Sequence, residues 1–175
     1  QETTVECSVS DSEDDGQGSD FTSYQTLDTA SLSFGEYATG MRFLGVHVPP
    51  GVMVTEARLR VCAYVSYITS PIDIWLCAED VNDAAPFVGR RIAQAKTTDY
   101  VRWKQRTTPW AANTWYDSED LREVIQAIID RSGWTPGNAI AIIGRGGDWI
   151  ERRDIWSFDG DAAKAARLVI KYRAR

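Results

Sequence analysis

The sequence predicts an all-β fold: a two-sheet antiparallel β-sandwich of the jelly-roll kind, with one short α-helix near residues 118–131. Apolar and polar residues alternate along several stretches of the chain, as in half-buried strands. Residues that favour turns separate these stretches, and only one stretch has helical periodicity. At 175 residues the chain is long enough to bury a full core within one domain.

The first segment of the chain differs from the rest in charge. Residues 1–20 contain seven acidic residues and neither Lys nor Arg, although the whole protein has a net charge of only −6. Within this segment Val5, Cys7 and Val9 alternate as in a short strand. We therefore predict an acidic N-terminal arm, residues 1–20, followed by a β-sandwich domain, residues 21–175.

The strand predictions are clearest in residues 41–48, 55–65 and 72–79. The residues predicted to face inward in the second and third of these are Ala57, Leu59, Val61, Ala63, Ile72, Ile74, Leu76 and Ala78. Further strands are predicted at residues 100–104, 139–144, 155–158 and 167–172. Together these segments supply enough strands for two stacked sheets.

Cys62 and Cys77 both fall on the outer face by this alternation. If their strands form a hairpin through residues 67–71, Cys62 is directly opposite Cys77. A disulfide there closes a loop of about 15 residues and stabilises the fold by about 3 kcal/mol in the chain-entropy model. We predict this bridge, with Cys7 free or in an intermolecular bond; the alternative is two free thiols.

One segment has the spacing of an amphipathic helix. Asp117 or Ser118 is the predicted N-cap, and Glu119 and Asp120 complement the helix dipole. Gly133 is the predicted C-terminal stop. The apolar stripe comprises Leu121, Val124, Ile125, Ile128 and Ile129.

Several motifs occur in an order that spans roughly residues 8–173. They are GMRFLGV (40–46) followed by PPG (49–51), EDVNDAAPF (79–87), RSGW (131–134), GNAI (137–140) and SFDGD (157–161). In these motifs the chain resembles secreted bacterial β-sandwich domains of the carbohydrate-binding-module or galactose-binding-like type. The resemblance implies a fold and an extracellular setting, but it specifies no ligand.

Composition and motifs argue against several classes of function. His47 is the only histidine, and no nucleophile is positioned with it in a recognisable motif, so we expect a structural histidine and no enzyme. No stripe of Lys and Arg suits nucleic acid, and no apolar run is long enough to span a membrane. Spaced zinc ligands are also lacking.

Two kinds of ligand fit the sequence. Asp11, Glu13, Asp14 and Asp15 concentrate hard oxygen ligands and predict Ca²⁺ as the candidate cofactor, although such a run is usually only solvated. Sugars require exposed aromatic faces beside polar groups. Tyr64, Trp75 and Trp149 are the predicted ligand-binding aromatics, unless Tyr64 and Trp75 form a cross-strand pair or are covered by another subunit.

Assembly is the function that the sequence favours. The acidic arm could add a strand through Val5, Cys7 and Val9 to a neighbouring molecule, and the basic tail residues Lys171, Arg173 and Arg175 could attract it. The alternative is that the arm folds back on its own domain. We expect a non-catalytic, extracellular protein, its signal peptide removed before Gln1, that forms a homo-oligomer, filament or surface layer. The alternative function is a carbohydrate-binding module for a polysaccharide.

Overall fold

The computed structural model describes residues 1–67, 71–105, 108–147 and 152–175. In these ranges the chain forms twelve β-strands, one α-helix and three short 3-10 turns. The strands are β1 (Thr3–Ser8), β2 (Asp15–Gly18), β3 (Gln25–Thr26), β4 (Ser31–Phe34), β5 (Ala38–Phe43), β6 (Val52–Cys62), β7 (Ile72–Ala78), β8 (Val101–Gln105), β9 (Trp115–Asp117), β10 (Ile140–Gly146), β11 (Arg153–Trp156) and β12 (Arg167–Ala174). The helix, α1, spans Arg122–Ile129.

The strands form two principal sheets and one small one. The first sheet has four strands in the order β1-β12-β6-β9, and the second has six in the order β3-β2-β5-β10-β7-β8. Strands β4 and β11 pair with each other, and the pairings between strands are antiparallel throughout. The predicted all-β sandwich is confirmed, as is its short helix.

The main core lies between the two principal sheets. Inward residues of β6 and β12 meet those of β5, β7 and β10, and the apolar side of α1 packs on β6 and β7. The eight predicted inward residues of the second and third strand segments are completely buried. Each fully buried Leu or Ile contributes about 1.5–3 kcal/mol of transfer free energy, so this interior dominates the stability of the fold.

A second, smaller core covers part of the outer face of the six-stranded sheet. The connection between β7 and β8 folds back over that face and places Phe87 and Ile92 against Ala141 and Ile143 of β10. A Cβ atom at Gly40 would lie 2.5 Å from Cζ of Phe87, so the ring rests directly on the main chain of β5. This part of the sheet is therefore closed to solvent.

The acidic N-terminal segment belongs to the sandwich. β1 pairs with β12 of the same chain from Thr3↔Tyr172 to Ser8↔Arg167, and Val9 is buried. β2 lies between β3 and β5 in the six-stranded sheet. The prediction of a separate arm at residues 1–20 is thus wrong for this structure, and the alternative, in which the segment folds back on its own domain, is observed.

The predicted pairing of the two cysteine strands is also wrong. β6 pairs with β12 and β9, whereas β7 pairs with β10 and β8 in the other sheet. Cys62 and Cys77 do lie on outer faces, as the alternation indicated, but on opposite sides of the sandwich, and both are buried free thiols. The predicted Cys62–Cys77 disulfide is therefore corrected, and Cys7 is a free thiol as well.

The helix begins later than predicted. Asp117 ends β9 and forms an ion pair with Arg60, and the Ser118 hydroxyl accepts a hydrogen bond from the main-chain N–H of Leu59. Neither is therefore available as the N-cap. Leu121 occupies the cap position without a side-chain bond, and a carboxylate oxygen of Asp120 accepts from the N–H of Arg122 at 3.0 Å.

Candidate functional site

An open cleft lies at one end of the six-stranded sheet. It encloses about 240 Å³, and three segments that are far apart in the sequence line it. Asp20 and Phe21 come from the loop between β2 and β3, Glu36 and Tyr37 from the turn after β4, and Gly146 and Gly147 from the end of β10. One concave surface therefore contains aromatic rings, carboxylates and the main chain of glycine residues.

The loop that carries Phe21 is held in place by hydrogen bonds. The Ser19 hydroxyl accepts from the N–H groups of Phe21 and Thr22 at 3.1 Å each, and the N–H of Ser19 donates to the carbonyl of Tyr24. The Arg91 guanidinium donates to the carbonyls of Ser19 and Thr22 from outside the loop. Phe21 is nevertheless 97% exposed, so a fixed loop presents a large apolar ring to solvent.

An arginine accompanies each of the two carboxylates of the cleft. Arg145 Nε lies 3.9 Å from Asp20, and Arg152 Nη1 lies 2.9 Å from Glu36. The hydrogen bond to Glu36 and the charge of Asp154 raise the pKa of Arg152 further above its ordinary value, so this cation is permanent. Both carboxylates remain partly exposed and have lone pairs to offer a ligand.

The floor of the cleft requires glycine. A Cβ atom at Gly146 would lie 2.1 Å from the Gly35 carbonyl oxygen, and one at Gly147 would lie 2.5 Å from Cγ of Asp73. The main-chain N–H of Gly147 donates to the Asp73 carbonyl at 2.7 Å, which fixes the end of β10. Any side chain at these positions would displace the neighbouring segment and deform the cleft.

The three aromatic residues predicted to bind ligand are not brought together as a group. Trp75 lies on the outer face of β7 and stacks on Tyr100 with ring centroids 4.4 Å apart and an interplanar angle of 4°. Tyr64 follows β6 in the other sheet and packs edge-on against Trp156 at 4.6 Å. Trp149 lies outside the described residues. Trp75 and Tyr64 therefore belong to different surfaces.

The four predicted calcium ligands have different surroundings. Asp11 accepts from the N–H of Glu13, whose own side chain is exposed, and Asp14 is buried in an ion pair with Arg42 at 2.5 Å. Asp15 is buried and accepts from the N–H of Phe158. Across the described part of the chain, no three His, Cys, Asp or Glu side chains gather as a metal ion would require. Calcium binding by this segment stays a prediction.

The residues predicted for assembly have partners within the chain. Val5 and Cys7 pack against the main core, Lys171 pairs with Glu56, and Arg175 makes two bonds to the Asp130 carboxylate. Arg173 lines a groove between β6 and α1. The acidic first segment and the basic tail thus lie side by side as β1 and β12. The main-chain groups that pair these two strands are not available to another molecule.

His47 lies outside any strand, because β5 ends at Phe43 and Gly45 has a φ of +63°. The imidazole is exposed beside Gly137, so the expected structural role in a strand interior is not observed.

Sequence reasoning missed Asp20, Phe21, Glu36 and Tyr37, the side chains that line the cleft. A signal for Phe21 was present, since it is the only aromatic residue in the polar run from Gly18 to Ser23. Glu36 and Tyr37 carry no comparable signal, because only the fold brings their turn next to residues 20 and 21.

No protein-family model matches this chain, and no curated protein is similar enough to count as a relative. The β-sandwich is established, but its resemblance to carbohydrate-binding or galactose-binding-like domains has no support beyond the motifs and the fold. In the described residues no helix is both long enough and apolar enough to cross a bilayer.

Proposed function

We propose that this protein is a non-catalytic binding module that recognises carbohydrate in the cleft lined by Asp20, Phe21, Glu36 and Tyr37. The observation that carries the proposal is Phe21, an almost fully exposed aromatic ring on a loop that hydrogen bonds hold rigid. Such a ring offers a flat apolar face on which the apolar face of a sugar can stack. Because the main chain of the loop is already held by hydrogen bonds, little main-chain entropy is lost on binding.

The other groups of the cleft are suited to the hydroxyl groups of a sugar. Apolar ring faces of a sugar stack on aromatic rings, while its hydroxyls require acceptors at fixed positions. Asp20 and Glu36 supply strong acceptors, and the glycine floor lets a flat ligand approach the main chain closely. An extracellular location would suit such a ligand, and it stays a prediction.

The test is binding to a glycan array and mobility in native gels that contain soluble polysaccharides. We expect the wild type to bind at least one glycan and Phe21→Ala to lose most of that binding. Val88→Ala is the matched control, because Val88 is also an exposed apolar residue in a loop, 53% accessible, but does not line the cleft. Equal binding by wild type and Phe21→Ala, or no binding to any glycan, would overturn the proposal.

Self-assembly is the second candidate. It is favoured by one observation: β1 lies at the edge of the four-stranded sheet, so one of its sides has no strand partner in the described part of the chain. Such an edge can pair with another strand, although charged residues such as Glu6 oppose this. Electron microscopy and sedimentation would decide, with regular polymers supporting assembly and monodisperse particles overturning it.

A further inference from the structure

A second aromatic surface lies on the outer face of the six-stranded sheet. Trp75 of β7 and Tyr100, which precedes β8, stack almost parallel with centroids 4.4 Å apart. Tyr100 covers one face of the indole and is itself 53% exposed, so its own ring remains largely open to solvent. The Arg102 guanidinium lies 5.9 Å from the Trp75 ring centroid and is fixed by two bonds to Asp73. The two rings are therefore held in place, and the Tyr100 ring is the part of the pair that is open to solvent.

Arg145 connects this platform to the cleft. It lies directly opposite Trp75 in the pairing of β10 with β7, so the two side chains share the outer face. The same guanidinium lies 3.9 Å from Asp20 of the cleft. The guanidinium also donates to the Ala93 carbonyl at 3.1 Å, so Arg145 is held on the outer face next to Asp20, on the strand that directly neighbours β7.

We infer that the sugar-binding surface extends from the cleft across Arg145 to Trp75 and Tyr100, and that the ligand is an internal stretch of a linear polysaccharide. The inference rests on the proposed function and deepens it. The step from β10 to the edge strand β8 covers two strand spacings, about 10 Å, which is too far for one sugar ring that already occupies the cleft. A chain of several sugars would reach both surfaces, whereas a ligand recognised only at its end would fill the cleft alone.

The experiment compares Phe21→Ala, Tyr100→Ala and Tyr100→Phe with the wild type. The probes are native gels containing xylan, mixed-linkage β-glucan, galactomannan or polygalacturonate, and then the disaccharide and hexasaccharide of whichever polymer slows the protein. We expect Tyr100→Ala to weaken hexasaccharide binding about tenfold and leave disaccharide binding unchanged, since the exposed ring is lost and the Trp75 ring beneath it lies 4.4 Å further from the ligand. Tyr100→Phe keeps that face and should bind as the wild type does. Phe21→Ala should weaken both.

The outcomes separate the inference from the proposed function. If Phe21→Ala loses binding and Tyr100→Ala binds the hexasaccharide like the wild type, the extended surface is overturned and the cleft stands. If none of the four polymers slows the wild type, the extended surface is overturned, whereas the cleft proposal is overturned only if the glycan array also shows no binding. Thermal unfolding of each variant checks that the fold is intact, and Val88→Ala again serves as the control with an altered loop outside both surfaces.

Discussion

The carboxyl group of Asp15 accepts a hydrogen bond from the main-chain N–H of Phe158 at 2.8 Å, which ties the start of β2 to the turn after β11. The other carboxyl oxygen is buried and has no hydrogen-bond partner in the described part of the chain. Burial raises the pKa of Asp15 from 3.8 to about 7, and the nearby carboxylates of Asp159 and Asp14 add to this effect. The group is therefore more easily protonated in the folded state than in the unfolded chain.

The first prediction is that Asp15 makes the protein less stable as the pH rises. Below about pH 4 the group is protonated in both states, and between about pH 4 and 7 it ionises only in the unfolded chain. The free energy of unfolding therefore falls through this window, by at most about 4 kcal/mol at 1.36 kcal/mol per pKa unit. Asp15→Asn keeps an acceptor for Phe158 and should be more stable than the wild type at pH 8, but similar at pH 4.

Urea unfolding at several pH values between 4 and 8 measures this difference. Asp99→Asn is the matched control, because it makes the same exchange of Asp for Asn at an exposed position. A wild type and an Asp15→Asn variant with parallel profiles would show that Asp15 does not have a raised pKa.

The second prediction concerns the three thiols. Burial raises the pKa of Cys62 and Cys77 above the ordinary value, and burial and Glu6 do the same for Cys7. Since the thiolate is the reactive form, all three should alkylate slowly in the folded protein. Cys7, the only one with partial exposure, should react first.

Mass spectrometry after alkylation at neutral pH, with and without denaturant, measures the order of reaction. Without reductant no peptide should contain Cys62 joined to Cys77, and all three cysteines should be modified in denaturant. Recovery of a linked peptide would contradict the placement of β6 and β7 in separate sheets.

The sequence was sufficient to predict which side chains face inward, but not which strands pair. Alternation identified Leu59 and Val61 of β6, and Ile74 and Leu76 of β7, as interior residues, and all are completely buried. Alternation depends only on local geometry, so it holds whichever partner a strand has. Pairing depends on contacts between distant segments, and the choice of a hairpin between β6 and β7 was therefore wrong.

The candidate site was harder to predict for the same reason. The outward position of Trp75 followed from the period of two in β7. Its partner Tyr100 lies twenty-five residues away in the sequence and meets it only because β8 pairs with β7. The cleft likewise combines residues 20–21, 35–37 and 146–147, which share no local motif.

The third prediction is that Arg91 makes the Phe21 loop rigid. Its guanidinium donates to the carbonyls of Ser19 and Thr22, and Arg91→Ala would leave both without that donor. We expect faster amide hydrogen exchange in the loop at residues 19–24. The exchange rates elsewhere should change little, because the strands keep their pairings. Arg91→Ala should also bind more weakly than the wild type to any glycan that the wild type recognises, because the loop that carries Phe21 is less rigid.

Hydrogen exchange followed by mass spectrometry measures the amide exchange rate of each peptide. Arg175→Ala is the control, since it also removes an arginine that makes two hydrogen bonds, but at Asp130 on the exposed surface far along the chain. Unchanged exchange in residues 19–24 of Arg91→Ala would contradict the role assigned to the guanidinium.

The fourth prediction tests whether the first strand belongs to its own chain in solution. Val9 is buried in the main core, and its main-chain N–H donates to the Ala166 carbonyl at 3.0 Å. Val9→Ala removes two buried methyl groups and should lower the free energy of unfolding by roughly 2 kcal/mol. If β1 pairs with β12 of the same chain, the midpoint of thermal unfolding should not change over a hundredfold range of protein concentration, in either the wild type or the variant. A midpoint that rises with protein concentration in the wild type would instead show that the strand is exchanged between molecules. That result would support assembly through residues 1–9.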